Sequence, residues 1–238
     1  ASDVYKRQIP SAYKLSNFKL MWNQKNLNFL FKSGFFIFLI NFFSVYIVNA
    51  PKYALDGRVA DSLQAIFGII LMPATLVSLA IQYFVQPYLQ KLALLFNELK
   101  KKEFNFLIAK LVLITIGLGI VCLVGAFLLG IPVLSLVYGV DLTSYKVDLL
   151  IIITGAIFYS MSIIFSAALT TVRYTFVQFV IYLITSAVGL VIAPMLIKNY
   201  GVHGATYAYF LIMISQFILY IIFYIALQKR LFNKRQGV

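Results

Sequence analysis

Charged side chains are scarce in this chain of 238 residues, and acidic ones are the scarcest. Charged residues form 11% of the sequence, with only seven Asp and Glu, whereas soluble domains carry about a quarter. The single Cys122 forms no internal disulfide, and the single His203 has no second histidine for a metal site or a triad. These shortages exclude a soluble domain. We therefore predict that the chain is not an enzyme and uses no cofactor or metal.

The few charges leave six long stretches free of them. Each stretch reaches, or nearly reaches, the roughly 20 apolar residues that a helix needs to cross about 30 Å of hydrocarbon. Backbone groups in lipid must satisfy their own hydrogen bonds, and the alternating pattern of a membrane barrel is absent. The stretches are Ser33–Pro51, Ser62–Gln90, Leu111–Val140, Leu149–Val172, Tyr174–Ile197 and Asn199–Gln228. They predict an all-α polytopic membrane protein with six transmembrane helices in a lipid bilayer.

The chain divides into four regions by composition. Residues 1–8, ASDVYKRQ, resemble a non-native scar. Residues 9–31 form a polar cytoplasmic segment, 32–230 the six-helix bundle and 231–238 a cytoplasmic tail. The chain begins with Ala instead of Met, and we expect that it starts within a longer protein.

Basic residues are distributed unequally between the two sides that six spans create. The side of both termini carries 14 basic residues: Lys14, Lys19, Lys25, Lys32, Lys91, Lys100, Lys101, Lys102, Lys110, Arg173, Lys229, Arg230, Lys234 and Arg235. The opposite side carries four: Lys52, Arg58, Lys146 and Lys198. By the positive-inside rule, both termini are predicted to be cytoplasmic. Because the basic residues flank spans, nucleic acid is disfavoured as a partner.

Prolines and glycines predict irregular points in the spans. Pro51 lacks an amide hydrogen and disfavours helical geometry at Ala50, so the first helix should break or kink there. The connection 131–147 is read either as a helix continuation or as a re-entrant segment. The sixth span is expected to begin after Gly201 and Gly204.

The connection between the second and third spans predicts an amphipathic helix. In residues 87–103 the apolar side chains Tyr88, Leu89, Leu92, Leu95, Phe96 and Leu99 recur at helical spacing. Such a helix would lie on the inner leaflet, or it would dock on a partner helix.

Polar residues within the spans are uncharged. They are Asn41, Ser44, Thr75, Ser78, Gln82, Gln86, Thr154, Ser160, Ser162, Ser166, Thr170, Thr171, Gln178, Thr185, Ser186, Ser215 and Gln216. Groups of this kind commonly join helices through hydrogen bonds. Alternatively, they line a hydrated cavity that faces sugar hydroxyls.

Four charges surround the end of the first span. Lys52 and Arg58 would hold phosphate through charge-assisted hydrogen bonds, or they would pair with Asp56 and Asp61 in a solvated loop. Asp61 is also a possible coupling acid. His203 is read as an interfacial polar residue.

Three motifs, taken together, resemble one transporter family. Asn49-Ala50-Pro51-Lys52-Tyr53-Ala54-Leu55 is similar to an Asn-x-Pro-Arg-Tyr-x-Ile signature. Gln86-Pro87-Tyr88-Leu89 and the Lys-rich stretch to Phe106 resemble the family's inter-helix connector. Tyr200-Gly201-Val202-His203-Gly204-Ala205-Thr206-Tyr207-Ala208 resembles its Gly-x-x-Gly-Ala-x-x-Ala motif at the last helix. The family is the polysaccharide-unit flippases (Wzx-type, for O-antigen and capsule) of the MATE-like MOP superfamily. The resemblance covers about Asn28–Arg230.

The resemblance implies the C-terminal lobe of a two-lobe transporter in the bacterial plasma membrane. Its substrate would be an undecaprenyl-pyrophosphate-linked oligosaccharide for surface polysaccharide, and the N-terminal lobe would be a missing partner. Lys52 departs from the family's Arg, which keeps the charge but loses bidentate phosphate recognition.

The predicted substrate-binding residues are Asn49, Lys52, Tyr53, Arg58 and Gln82. Two alternatives remain. A MATE-type small-molecule or multidrug exporter lobe would be expected to need buried acids. A non-transporting scaffold of polysaccharide assembly would have a uniformly apolar bundle surface instead of a polar concave one.

Overall fold

The computed structural model describes the backbone of residues 24–236 and the side chains of residues 34–227. The predicted scar 1–8, most of the segment 9–31 and the end of the tail lie outside the described residues. The chain divides into two compact units, Ala1–Phe36 and Ile37–Val238. The description below concerns the second unit and the helix that begins before it.

Every regular element in the described part is helical, which confirms the predicted all-α polytopic membrane protein. The helices are α1 (Gln24–Leu55), α2 (Asp61–Val85), α3 (Tyr88–Asn97), α4 (Lys101–Gly125), α5 (Ile131–Tyr138), α6 (Lys146–Thr171) and α7 (Thr175–Gln236). A π-helical turn, Ala126–Gly130, joins α4 to α5, and a 3-10 turn, Thr143–Tyr145, precedes α6.

Five helical segments are long and apolar enough to cross a membrane: Gly34–Leu55, Asp61–Val85, Lys101–Tyr138, Thr143–Thr171 and Thr175–Leu227. The last has 53 residues. At about 1.5 Å per residue this is more than twice the roughly 30 Å of a bilayer core. It is therefore not a single span.

Gly201 divides α7 into two halves, α7a (175–200) and α7b (202–236). Its φ of 57° and ψ of −129° are non-helical, in a region that is open essentially to glycine. The halves then pack against each other: the Tyr182 and Tyr220 ring centroids lie 6.3 Å apart, and Gly204 lies against the backbone of Leu196. This helical hairpin supplies the fifth and sixth predicted spans.

The first helix does not end at the predicted break. It continues through Pro51 and ends at Leu55, where Gly57, at φ 67°, begins the turn into α2. Ala50, Pro51 and Leu55 are all buried, and Ala50 and Leu55 belong to the main core cluster. Packing on both sides of the proline offsets the lost N–H donor and the clash of the ring with the preceding turn.

The connection 131–147 is resolved as a helix continuation. From Lys101 to Tyr138 the chain is helical throughout, with the π-helical turn in the middle. Gly139 then adopts a left-handed conformation, at φ 66°, and its N–H donates to the Ser135 carbonyl at 2.9 Å. This arrangement is a common helix stop.

The amphipathic helix α3 packs on the protein's own bundle. Its residues Leu92, Leu95 and Phe96 are buried in one cluster with Val85 of α2 and Phe104 of α4. The predicted amphipathic helix is confirmed, and these three side chains pack against α2 and α4. Its position on the inner leaflet stays a prediction.

The spans place their connections in two groups. The Lys-rich end comprises the connections 86–100 and 172–174. The Arg58 end comprises the turn 56–60, the connection 139–145 and the α7 reversal at 198–204. At the Arg58 end the ring centroids of Tyr145 and His203 stack 5.7 Å apart, so the connection 139–145 contacts the α7 reversal.

Candidate functional site

Two adjoining recesses form one groove between α1, α2, α6 and α7a, which we call the polar groove. They have volumes of about 420 and 350 Å³ and share four lining residues: Gln82, Ile163, Ser166 and Thr170. The polar residues that line the groove are Asn41, Ser44, Gln82, Tyr83, Gln86, Tyr159, Ser166, Thr170, Thr175, Gln178 and Tyr182. No charged side chain lines either recess.

The α6–α7a turn is fixed by one glutamine of the groove. Gln178 Nε2 donates to the Ser166 carbonyl at 3.0 Å and to Thr170 Oγ1 at 2.9 Å. Thr170 Oγ1 in turn donates to the Ser166 carbonyl at 2.9 Å. These bonds hold the start of α7a against the end of α6, and they define one wall of the groove.

The α1 wall carries an amide and a hydroxyl that are anchored to their own helix. Asn41 Nδ2 donates to the Ile37 carbonyl at 3.0 Å, and Ser44 Oγ donates to the Asn41 carbonyl at 2.8 Å. Their side-chain oxygens remain available as acceptors. The wall thus offers a ligand acceptors in fixed positions and no net charge.

Behind the groove lies a polar layer whose hydrogen bonds are incomplete. Gln216 and Tyr220 are fully buried, and the Gln216 amide and the Tyr220 hydroxyl lie near the Tyr182 hydroxyl without forming a hydrogen bond of good geometry to a described residue. Tyr220 packs edge-on against Tyr182, which lines the groove. The layer therefore places further polar groups behind the wall that Tyr182 forms.

The structure does not bring the five predicted site residues together. Gln82 lines the polar groove, but Asn49, Lys52 and Tyr53 do not. The half-buried Asn49 donates from Nδ2 to the Val45 carbonyl at 2.9 Å, and the exposed Tyr53 stacks on Tyr46 at 6.2 Å.

The fifth predicted residue, Arg58, lines a separate recess of about 540 Å³, which we call the Arg58 recess. The other residues that line it are Pro194, Met195, Ile197 and Lys198. Sequence reasoning did not include Lys198 in a site. The only signal for it was its place at the predicted end of the fifth span, on the same side as Arg58.

The charges around Arg58 do not pair with one another. Among the described side chains, the ion pairs are Lys100 with Glu98 at 2.9 Å and His203 with Asp148 at 2.8 Å. Asp56 and Asp61 are exposed and lie in neither pair. The structure therefore shows a solvated loop, as this alternative predicts, but without direct ion pairs among its charges.

A buried acid was missed, as was the partner of His203. The Asp148 side chain, at the start of α6, is only 4% exposed, and both of its oxygens lie within 3.0 Å of His203 Nδ1. The half-exposed His203 imidazole also stacks on Tyr145. In the described part of the chain no group of three or more His, Cys, Asp or Glu is placed to hold a metal. The pair thus fixes α7b to α6 at the Arg58 end.

Among known proteins, the chain is similar to the capsular polysaccharide biosynthesis protein CapF of Staphylococcus aureus, with 29% identity over 182 residues. The match covers 76% of this chain but 45% of that protein, so the chain spans less than half of the relative's length. No family model matches the sequence, and no solved structure matches it.

Proposed function

We propose that this chain is part of a flippase that moves an undecaprenyl-pyrophosphate-linked oligosaccharide across the bacterial plasma membrane for surface polysaccharide biosynthesis. Two observations support the proposal: the similarity to CapF, a capsular polysaccharide biosynthesis protein, and the polar groove. The groove is the main support, since it gives a membrane bundle a surface for a hydrophilic ligand.

The chemistry of the groove suits sugars. Asn, Gln, Ser, Thr and Tyr side chains donate to and accept from hydroxyl groups, and the exposed aromatic ring of Tyr83 offers apolar surface for a pyranose. The absence of charge from the lining favours a neutral saccharide over a cationic or anionic one. The groove would therefore bind the sugar portion, and the phosphates would be held elsewhere.

The exporter alternative fits this lining less well. A carrier of cationic drugs would be expected to place an acid in its cavity, and none lines the groove. The buried Asp148 is engaged by His203 at the Arg58 end. A scaffold without transport would not need a polar concave surface of this size.

The groove would face a second lobe. The match to CapF covers less than half of that protein, so there is room in the relative for another six spans. In this proposal the two lobes enclose the oligosaccharide while the prenyl chain stays in lipid. The 14-to-4 distribution of basic residues supports a cytoplasmic position for both termini.

The test removes hydrogen-bonding groups from the groove in the intact protein. Gln82→Leu keeps the approximate size of the side chain and deletes its amide, whereas Gln90→Leu makes the same change at an exposed position outside the groove. Loss of one hydrogen bond should slow transport about 2- to 10-fold. The measurement is surface polysaccharide per unit of membrane-inserted protein in a strain that lacks the native gene.

The control variant should behave as wild type. If Gln82→Leu and a second groove variant, Ser44→Ala, both leave polysaccharide at the wild-type level, the groove does not carry the substrate. Normal protein level with reduced polysaccharide supports the proposal.

A further inference from the structure

The Arg58 recess joins two cations from distant parts of the chain. Arg58 lies in the α1–α2 turn and Lys198 near the end of α7a. One core cluster holds both backbones: it contains Leu55 and Ile197, and Val59 packs against it. Their convergence is therefore built into the fold.

Neither cation forms a direct ion pair with a nearby acid in the described part of the chain. Arg58 Nη1 donates to the Ala54 carbonyl at 2.7 Å, which orients the guanidinium and leaves most of its five N–H donors free. Within residues 34–227, neither Arg58 nor Lys198 forms an ion pair. Asp56 and Asp61 are near in sequence but do not come within ion-pair distance of either cation.

The remaining acids at this end are engaged elsewhere. The Thr143 hydroxyl donates to Asp141 Oδ1 at 2.6 Å and the Thr143 N–H at 2.9 Å, and these bonds lower the pKa of Asp141. Asp148 is bound by His203. The Arg58 recess therefore keeps two positive charges that form no direct ion pair with a described acid.

The rest of the recess is apolar. Pro194, Met195 and Ile197 complete its lining, and Met195 is largely exposed. A guanidinium binds two phosphate oxygens at once, and an ammonium adds a second positive charge that acts as a point charge without fixed hydrogen-bond geometry. Apolar surface beside the two cations suits a ligand whose phosphate is attached to hydrocarbon. The Arg58 recess lies at the end of the spans, at the level of the lipid headgroups.

We infer that the Arg58 recess binds the phosphate of a membrane lipid, with Arg58 and Lys198 as its two cationic ligands. The site itself does not depend on transport. Only the identification of its natural occupant as a polyprenyl diphosphate, instead of a bilayer phospholipid, rests on the proposed function.

The test measures ligand binding to the full chain in maltoside micelles, which contain no phosphate. Native mass spectrometry compares four probes: farnesyl diphosphate, phosphatidylglycerol, inorganic pyrophosphate and farnesol. Arg58→Gln and Lys198→Gln should each weaken binding of the phosphate lipids about 10-fold or more, and Arg58→Lys should weaken it less. Lys146→Gln is the matched control, since Lys146 is an exposed cation at the same end outside the recess.

The outcomes separate the sources of phosphate. Tighter binding of farnesyl diphosphate than of phosphatidylglycerol assigns the site to a polyprenyl carrier, and the reverse assigns it to the bilayer. Equal binding of farnesol, equal binding of bare pyrophosphate, or an equal loss in Lys146→Gln overturns the inference. So does wild-type binding by both Arg58→Gln and Lys198→Gln. Circular dichroism of each variant checks folding, and failure here would leave the effect of Gln82→Leu on polysaccharide unchanged.

Discussion

Among the described glycines, Gly204 is the one at which substitution by alanine should destabilise the fold most. A Cβ on Gly204 would lie 2.2 Å from the Leu196 carbonyl oxygen and 2.8 Å from the Ile197 nitrogen. These are backbone atoms of the other half of the α7 hairpin, so no rotamer change relieves the contact. Gly204→Ala must therefore push α7a and α7b apart.

The cost follows from the distance. Ordinary contact begins near 3.4 Å, so the two backbones must separate by about 1 Å at a fully packed point of the core. Overpacking typically costs about 1–3 kcal/mol, and a rigid backbone neighbour places this variant at about 3 kcal/mol or above. The same substitution at Gly117 should act in the opposite direction. Its Cβ meets nothing within 4 Å, and Ala gains about 0.5–1 kcal/mol over Gly inside a helix.

The assay is unfolding by SDS in mixed micelles, followed by circular dichroism, with wild type, Gly204→Ala and Gly117→Ala side by side. Gly204→Ala should unfold at a clearly lower SDS fraction, and Gly117→Ala at the same fraction or a higher one. A Gly204→Ala protein as stable as wild type would refute the hairpin geometry from which the clash is read.

Three further predictions concern the α7 reversal, the buried acid and the orientation. Gly201→Ala should cost about 1–3 kcal/mol in the same titration, because its backbone conformation is strained for any side chain; no loss would contradict the reversal. His203→Ala should lower the free energy of unfolding by about 1–3 kcal/mol at pH 7, because it leaves Asp148 buried and unpaired. The loss should be much smaller in an Asp148→Asn background, and equal losses in the two backgrounds would show that the residues do not interact. A reporter fused after Lys102 should be cytoplasmic and one after Tyr145 external; the opposite pattern would invert the topology.

The spans could be read from the sequence because lipid leaves a chain few choices. Long charge-free runs must become helices. The last apolar region is interrupted by Lys198 and Gly201, and these two positions indicated the hairpin. The predicted break at Pro51 does not occur, because the prediction weighed one missing donor and the local geometry of Ala50. It could not weigh the burial of both residues, of which Ala50 belongs to the main core.

The candidate sites were harder to predict, since each depends on contacts between helices. Gln82 was identified as a polar residue in a span, but its neighbours across the groove are set by how α6 and α7a pack beside α2. Lys198 meets Arg58 only after the hairpin forms. Asp148 lies outside the charge-free stretches, one residue before Leu149, and nothing in the sequence indicates its burial. The structure makes it the buried partner of His203.

The uncharged lining of the polar groove also has a kinetic consequence. Each neutral hydrogen bond to a hydrated guest replaces one made with water, so it contributes only about 1 kcal/mol, and no long-range Coulomb attraction adds to it. A guest held in this way dissociates quickly, because affinity differences appear mostly in the off-rate. Such a surface favours brief occupancy and easy departure over retention.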